Sequence, residues 1–460
     1  MNRLILVVFA VLVIWIIKRD IARREGISRA IWIPTLWVGI LASRQLSAWL
    51  GFGGAEDTLD GSPVDRLFFL SMIVAALLVL SRRRVEWGRL FSRNWPILLF
   101  YAFLLVSVVW ANSPLTSLKR WIKEFGNIIV LLVILSEVDP LQAFRAVFVR
   151  CAYVLIPLSI IFIRYFPELG RRYSIHTGGM EPIGVTVQKN SLGEMVLVCG
   201  LVLLWDWLER SRPEAPRQER IERYLPPTIL AIGAWLLKLS DSMTSTLCLI
   251  IGSIVMLAIR LPLLHRRIDA LGRYVLLGVV GFFSLNWMFG ITDSVVASMG
   301  RDMTFTGRAN VWQELLKVHT DPLLGTGFMS FWDDAHYQAI LPNWVDSSAH
   351  NGYLEIYLAG GFIGVAFLAV MLLATGVRIN RALAWGSDYA VVRFAIFIAM
   401  LLASFTESNF ACMTSLGFLF LLAAIGYARP EAAMPGLGEP RESAPATAGA
   451  ARAVRLTMPE

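Results

Sequence analysis

The chain has 460 residues, enough for two or three soluble domains by length alone, but its composition excludes that organisation. Apolar residues make up 56% and charged residues 17%, against roughly 45–50% and about 25% in soluble domains, and the mean hydropathy is +0.61. Lipid must therefore solvate most of the chain. The net charge of +8 then belongs to basic loops at a bilayer, not to a nucleic-acid surface.

A bilayer core of about 30 Å takes roughly 20 apolar residues per helix. Windows meeting or approaching that length fall at about 3–18, 31–50, 66–81, 95–111, 125–138, 146–165, 191–208, 226–240, 244–264, 273–291, 352–377, 389–407 and 410–427. The first resembles a signal peptide in its charged start, but it has no small-residue cleavage site and runs into Lys18-Arg19-Asp20, so it is expected to be retained. Basic residues crowd the links at 18–29, 82–93, 209–223 and 265–273, while 51–65 has none. Alternate links are thus basic and are expected on the cytoplasmic side.

The long connection 292–350 falls on the opposite side and is rich in acids: Asp293, Asp302, Glu314, Asp321, Asp333, Asp334 and Asp346. Its apolar residues Val311, Trp312, Leu315, Leu316 and Val318 stand at helical spacing behind possible caps at Thr304 and Thr306. Such a loop is expected to pack down and roof a cavity. The organisation predicted is an N-terminal bundle (1–291), the outer loop (292–350), C-terminal helices (351–428) and a disordered tail (429–460). The fold class is an all-α integral membrane protein with 12–13 transmembrane helices.

The four cysteines, Cys151, Cys199, Cys248 and Cys412, lie in apolar runs without paired spacing, so no disulfide or zinc site is expected. There is no Gly-rich phosphate loop, no nucleophile elbow and no carboxylate or His-x-x-x-His cluster. No metal and no cofactor is therefore expected, and the chemistry must come from polar groups at the outer boundary.

Of the histidines, His176, His319, His336 and His350 fall in outer links and His265 among cytoplasmic arginines. His350 opens His350-Asn351-Gly352-Tyr353-Leu354-Glu355 at the head of an apolar helix. The positive end of a helix favours neutral imidazole, able to accept a proton as a general base; the alternative is a capping or interfacial histidine. Arg308 carries a fork that matches phosphate bidentately, or it pairs with one of the loop acids. Lys189, entering the helix at 191, either meets an anion with that helix end or snorkels. Arg44 lies inside an apolar window, where charge is costly and functional by default, although its nearness to the outer end also permits snorkelling. Arg120, and Asp241 with Ser240, Ser242, Thr244 and Ser245 in a tight outer turn, complete the set.

Gly307-Arg308…Trp312, Pro322-Leu323-Leu324-Gly325-Thr326-Gly327, His350-Asn351-Gly352-Tyr353-Leu354 and Gly360-Gly361-Phe362-Ile363-Gly364 resemble, in that order, the signature region of the O-antigen ligase and O-antigen polymerase family. The stretches Ser43 to Leu50, Gly61 to Arg66 and Gly184 to Asn190 resemble the branch that includes exopolysaccharide polymerases. The resemblance implies a GT-C-like, metal-independent, inverting glycosyltransferase of the bacterial inner membrane with its active site facing the periplasm. It implies a glycan donor on undecaprenyl pyrophosphate and an acceptor hydroxyl on lipid A-core or on a growing polysaccharide. On the matching positions, Arg308 would hold the pyrophosphate and His350 would activate the acceptor, with Lys189 and Arg120 as further phosphate contacts; Arg44 joins them as a candidate pyrophosphate contact on its place in an apolar span. The family usually shows about twelve spans, one fewer than the windows above. The competing reading is a lipid-linked oligosaccharide flippase or a transporter; such proteins place charges near the bilayer midplane, whereas here they gather at the outer boundary.

Overall fold

The computed structural model describes residues 2–427, apart from 25, 53–61, 174–177, 212–219, 262–307, 343, 346 and 386. The window at 273–291, the first part of the outer loop, the tail, His176, His265, Thr304 and Thr306 lie outside the described residues. Every other window overlaps at least one helix. In chain order these are α1 (Asn2–Arg23), α2 (Trp32–Leu41), the single turn α3 (Leu46–Trp49), α4 (Pro63–Ser81), α5 (Trp87–Ser107), α6 (Pro114–Leu135) and α7 (Pro140–Tyr165). After a turn α8 (Pro167–Gly170) and a short ribbon, β1 (Arg171–Tyr173) paired antiparallel with β2 (Met180–Pro182), come α9 (Lys189–Arg210), α10 (Arg220–Ser240) and α11 (Met243–Ala258). The loop contributes α12 (Arg308–Lys317) and α13 (Ala335–Ile340), and the chain closes with α14 (Gly352–Ala384), α15 (Asp388–Ala403) and α16 (Ser415–Ala424).

The protein is an all-α integral membrane protein; the three-residue strands are a surface ribbon. Among the described residues, five helices are long and apolar enough to cross a bilayer, namely Pro63–Ser81, Trp87–Trp110, Pro140–Tyr165, Lys189–Arg210 and Gly352–Ala384, and four shorter apolar helices accompany them. Helix α9 lies at the centre, with 72% of its apolar window buried, against 28% for α4 at the lipid-facing rim. It packs on α7, α10, α11, α15 and α16. The window expected at 31–50 is broken: α2 stops at Leu41 and a turn at 42–45 precedes α3.

The two ends of the bundle differ chemically. The end bearing the basic links ties them down with acids inside the fold: Asp20 pairs with Arg24 and Arg150, Glu137 with Arg83, Asp206 with Arg145 and Arg210, and Glu209 with Arg260. The other end gathers the turn at 42–45, the ribbon, the α10–α11 turn, the loop from Arg308 and the α15–α16 connection at 404–414.

At that end two signature stretches interlock. Helix α14 breaks at Gly361, where φ is +56° and ψ −158°, a region open essentially to glycine. The backbone groups freed by the break are taken up by the loop: Thr326 and Gly327 donate to the carbonyls of Leu358 and Ala359, each at 2.9 Å, while Phe362 and Ile363 donate to Pro322 (2.8 Å) and Leu323 (3.2 Å). A Cβ on Gly361 would sit 2.3 Å from the carbonyl of Leu323, and one on Gly325 would sit 2.6 Å from the nitrogen of Gly360. The glycines of Pro322–Gly327 and of Gly360-Gly361 therefore serve backbone-on-backbone docking. The loop is anchored further where Phe328 donates to Ser107 Oγ (3.1 Å) and Asn112 to Ser330 Oγ (2.8 Å).

Candidate active site

Helix α12 lies over this end on an apolar face of Val311, Leu315 and Val318, which pack with Phe331, Ala349 and Leu358. Leu316, expected in that stripe, is instead 66% exposed, because it faces away from the seam. Among the described residues, a small cavity lies deeper in the bundle, lined by Tyr101, Glu124, Asn409 and Phe410 among others.

Arg308 opens α12 and reaches across to the α15–α16 connection. Its Nη2 donates to Glu407 Oε1 at 2.8 Å and its Nη1 to the carbonyl of Thr406. The alternative of a pairing with the loop acids is not what the fold shows: the carboxylate partner stands 99 residues away. His350 approaches the same carboxylate from the other side, its Nδ1 3.9 Å from Glu407 Oε2. All three side chains stay partly open, at 14% for Arg308, 23% for Glu407 and 25% for His350. Burial pushes the Glu407 carboxyl up, but the adjacent His350 ring and the Arg308 guanidinium outweigh it and hold it below the usual carboxylate range.

The histidine is not the helix cap. Asn351 is: its side chain accepts from the nitrogens of Tyr353 (3.0 Å) and Leu354 (3.1 Å). His350 precedes the cap with φ +46°, a conformation uncommon for a non-glycine residue, and its backbone nitrogen donates to Ser348 Oγ at 3.1 Å. Glu355, one turn into α14, fixes this strap from beneath. It accepts from the nitrogen of Ala349 (2.6 Å), from Trp332 Nε1 (3.0 Å) and from Ser408 Oγ (3.3 Å), and Trp312 Nε1 donates to the Ala349 carbonyl at 2.8 Å. Gly352 donates to the carbonyls of Ser404 (2.8 Å) and Glu407 (3.1 Å); a Cβ there would lie 3.0 Å from the Phe410 ring. The Asn-Gly pair after His350 thus lets the helix start press against the Glu407 backbone.

The remaining candidates sit around this centre. Arg120 donates to the Met329 carbonyl at 2.7 Å and pairs with Asp333, so its link to the site runs through Asp333, Trp332 and Glu355. Lys189 pairs with Glu181 of β2 at 2.8 Å at the head of α9. One turn on, Gly193 abuts Ser242 so closely that a Cβ would sit 2.5 Å from its side chain, and Thr244 Oγ1 lies 2.6 Å from Thr406 Oγ1, beside Glu407. Arg44 corrects an expectation: it stands in the turn after α2, not within a helix. Its guanidinium donates to the carbonyls of Leu169, Gly184 (2.7 Å) and Thr186 (3.3 Å), which pins the ribbon segment leading to Lys189. Among the described residues, no three His, Cys, Asp or Glu side chains group as a metal would require.

Glu407 escaped the sequence reading. Its one available signal is that it is the sole acid between Asp388 and Glu431, set between two apolar helices.

The protein is thus a bundle of apolar helices with a docked loop and an arginine–carboxylate–histidine cluster at one end. Residues 228–369, which include Arg308 and His350, match the family described as O-antigen ligase. The chain is also similar to an exopolysaccharide production protein (ExoQ) of Rhizobium meliloti (strain 1021), 23% identical over 377 residues, covering 76% of this chain and 80% of that protein. The chain is thus similar to proteins of the O-antigen ligase and polymerase family, a similarity that supports a membrane enzyme of polysaccharide biosynthesis.

Proposed function

We propose that the protein transfers a glycan from undecaprenyl pyrophosphate to an acceptor hydroxyl, with inversion at the anomeric carbon and without a metal. The observation that carries this reading is the convergence of Arg308 and His350 on one partly open point beneath the docked loop. The acceptor oxygen attacks the anomeric carbon and gives its proton to His350; the bond from that carbon to the pyrophosphate oxygen breaks, and Arg308 meets the negative charge that develops there. Fixed positive donors aimed at a leaving phosphate supply what a metal supplies elsewhere. Lys189 and Arg120 add positive potential at the same end, while Arg44 holds the segment that presents Lys189. The described part of the loop would present the acceptor, and residues 429–460 would form a cytoplasmic tail.

The basic links at the opposite end support a site on the periplasmic side of a bacterial inner membrane. A cysteine at Lys317, whose side chain is 68% exposed, should react with an impermeant reagent in intact, outer-membrane-permeabilised cells; reaction only after inner-membrane lysis would invert this orientation. The named role of the Rhizobium relative in exopolysaccharide production favours extension of a growing polysaccharide over ligation to lipid A-core. The deciding experiment is reconstitution in proteoliposomes with lipid-linked glycan and each acceptor class, followed by linkage analysis of the product. Movement of lipid-linked glycan between leaflets with no new glycosidic bond would refute the reading in favour of a flippase.

A further inference from the structure

At the end of the bundle that bears the basic links, Arg24, Arg83, Arg145, Arg150, Arg210 and Arg260 are each held by an acid inside the fold. One group of arginines at that end breaks the pattern. Arg378, near the close of α14, donates through Nη1 to Asn94 Oδ1 and to the Ala424 carbonyl, each at 2.8 Å, and through Nη2 to the Arg93 carbonyl at 2.6 Å. Arg393 of α15 donates through Nε to the Ala423 carbonyl at 2.6 Å. The two thus cap the last turn of α16, whose terminal carbonyls have no partner within the helix. Carbonyls carry only partial charge, so the full positive charges remain. The guanidiniums of Arg393 and Arg93 both repel that of Arg378, and no ion pair joins any of the three to a described acid. Arg393 is 9% exposed, and its Nη2 is buried with no hydrogen-bond partner among the described residues. A buried guanidinium without a counter-charge is costly, and its neighbours here add to the cost.

We propose that Arg93, Arg378 and Arg393 form a binding site for the phosphate of an anionic phospholipid, set between α5, α14 and α15 at the end opposite the arginine–carboxylate–histidine cluster. Guanidinium forks match phosphate oxygens bidentately, and basic pockets between membrane helices are where anionic head groups seat. The surroundings favour a lipid over a soluble anion. Trp95, two residues from Arg93, and Trp385, at the close of α14, are exposed, as tryptophans at head-group level are. Leu373 and Val377, just before Arg378 on α14, are exposed as well and offer acyl chains an apolar wall. Because Arg378 and Arg393 also hold the end of α16, a phosphate that gathers them steadies that helix, whose other end follows the connection carrying Glu407.

The test uses the full chain in nanodiscs of phosphatidylcholine with and without phosphatidylglycerol, the lipids retained by the released protein being counted by native mass spectrometry. Wild type is expected to retain phosphatidylglycerol in preference to phosphatidylcholine and to unfold several degrees higher in its presence. Each arginine replaced is expected to weaken phosphatidylglycerol binding by about fivefold, the rough worth of one arginine at an anionic surface. Arg378→Gln tests the centre of the site. Should it not insert, Arg93→Gln decides, because that side chain is exposed and only its backbone carbonyl serves the fold. Arg89→Gln removes an exposed arginine already paired with Glu86 and is the control, expected to bind like wild type. Equal retention of the two lipids by wild type, or wild-type phosphatidylglycerol binding in Arg93→Gln, overturns the proposal. A loss in Arg89→Gln as large as that in Arg93→Gln overturns it too, since diffuse surface charge would then account for the binding. If inorganic phosphate in phosphatidylcholine nanodiscs reproduces the thermal shift, the site takes a free anion and the lipid assignment falls.

Discussion

Replacing Gly361 by alanine should release the loop from the bundle. The alanine methyl would lie 2.3 Å from the carbonyl carbon and oxygen of Leu323 and 2.7 Å from the nitrogen of Leu324, all backbone atoms that cannot rotate away. The backbone strain at φ +56° costs of order 1–3 kcal/mol and the overlap a further 1–3 kcal/mol or so. Against this stand the four loop-to-α14 backbone hydrogen bonds, each worth about 0.5–1.5 kcal/mol net. The two totals are of the same size, so the cheapest response is for Pro322–Gly327 to lift off. If about 3 kcal/mol of docking is cancelled, the lifted fraction rises by roughly 100-fold, at 1.4 kcal/mol per factor of ten. A cysteine at Ser330, 2% exposed in the docked loop, reports this as its rate of reaction with a hydrophilic maleimide. Gly376→Ala in the same helix is the control, since its added carbon meets only the Phe397 ring at 3.3 Å. Equal labelling rates in the parent and in Gly361→Ala would refute the interlock as the device that seats the loop.

Arg308→Lys keeps the charge but loses the fork, and transfer in proteoliposomes should fall by about 10²-fold or more with normal membrane insertion; wild-type activity in Arg308→Ala would remove the arginine from the mechanism. His350→Gln hydrogen-bonds without taking up a proton near neutral pH, so its kcat should drop by about 10²- to 10⁴-fold while donor binding stays close to wild type; full activity would reduce His350 to a contact. The Glu407 carboxyl lies below its ordinary value of 4.5 in the fold, so its pairing with Arg308 contributes fully above that pH and is lost as pH falls through the lowered value. Hydrogen exchange over 308–317 should therefore stay slow at pH 5 and quicken under stronger acid, and Glu407→Gln should abolish the step.

The helices were legible because each spans an apolar run, and Arg308 and His350 were legible because their flanking motifs are local. What the sequence concealed depends on partners far along the chain. Glu407 meets Arg308 and His350 only after α15 and α16 fold back to the loop, and no short-range pattern marks that return. Arg44 read as a charge inside a span because its window is apolar throughout. The carbonyls that satisfy it belong to residues 169–186, and the turn that exposes it is signalled only by Ser43-Arg44-Gln45. The expectation of one span over 352–377 misses the break because the apolar run is continuous through it; Gly360-Gly361 is the one local sign of a weakened helix there, and the break itself follows the loop backbone pressed against it.

The break at Gly361 also sets the unit in which this protein can be re-engineered. Loop residues 322–327 and helix residues 358–363 complete each other's backbone hydrogen bonds, so neither is a separable module. A chimera that imports only a relative's loop would graft it onto a foreign seat and should lose docking, while one that exchanges 308–363 as a single cassette carries lock and key together. Residues 364–384 can then stay with the host, as the membrane-spanning stem on which different loop heads are mounted.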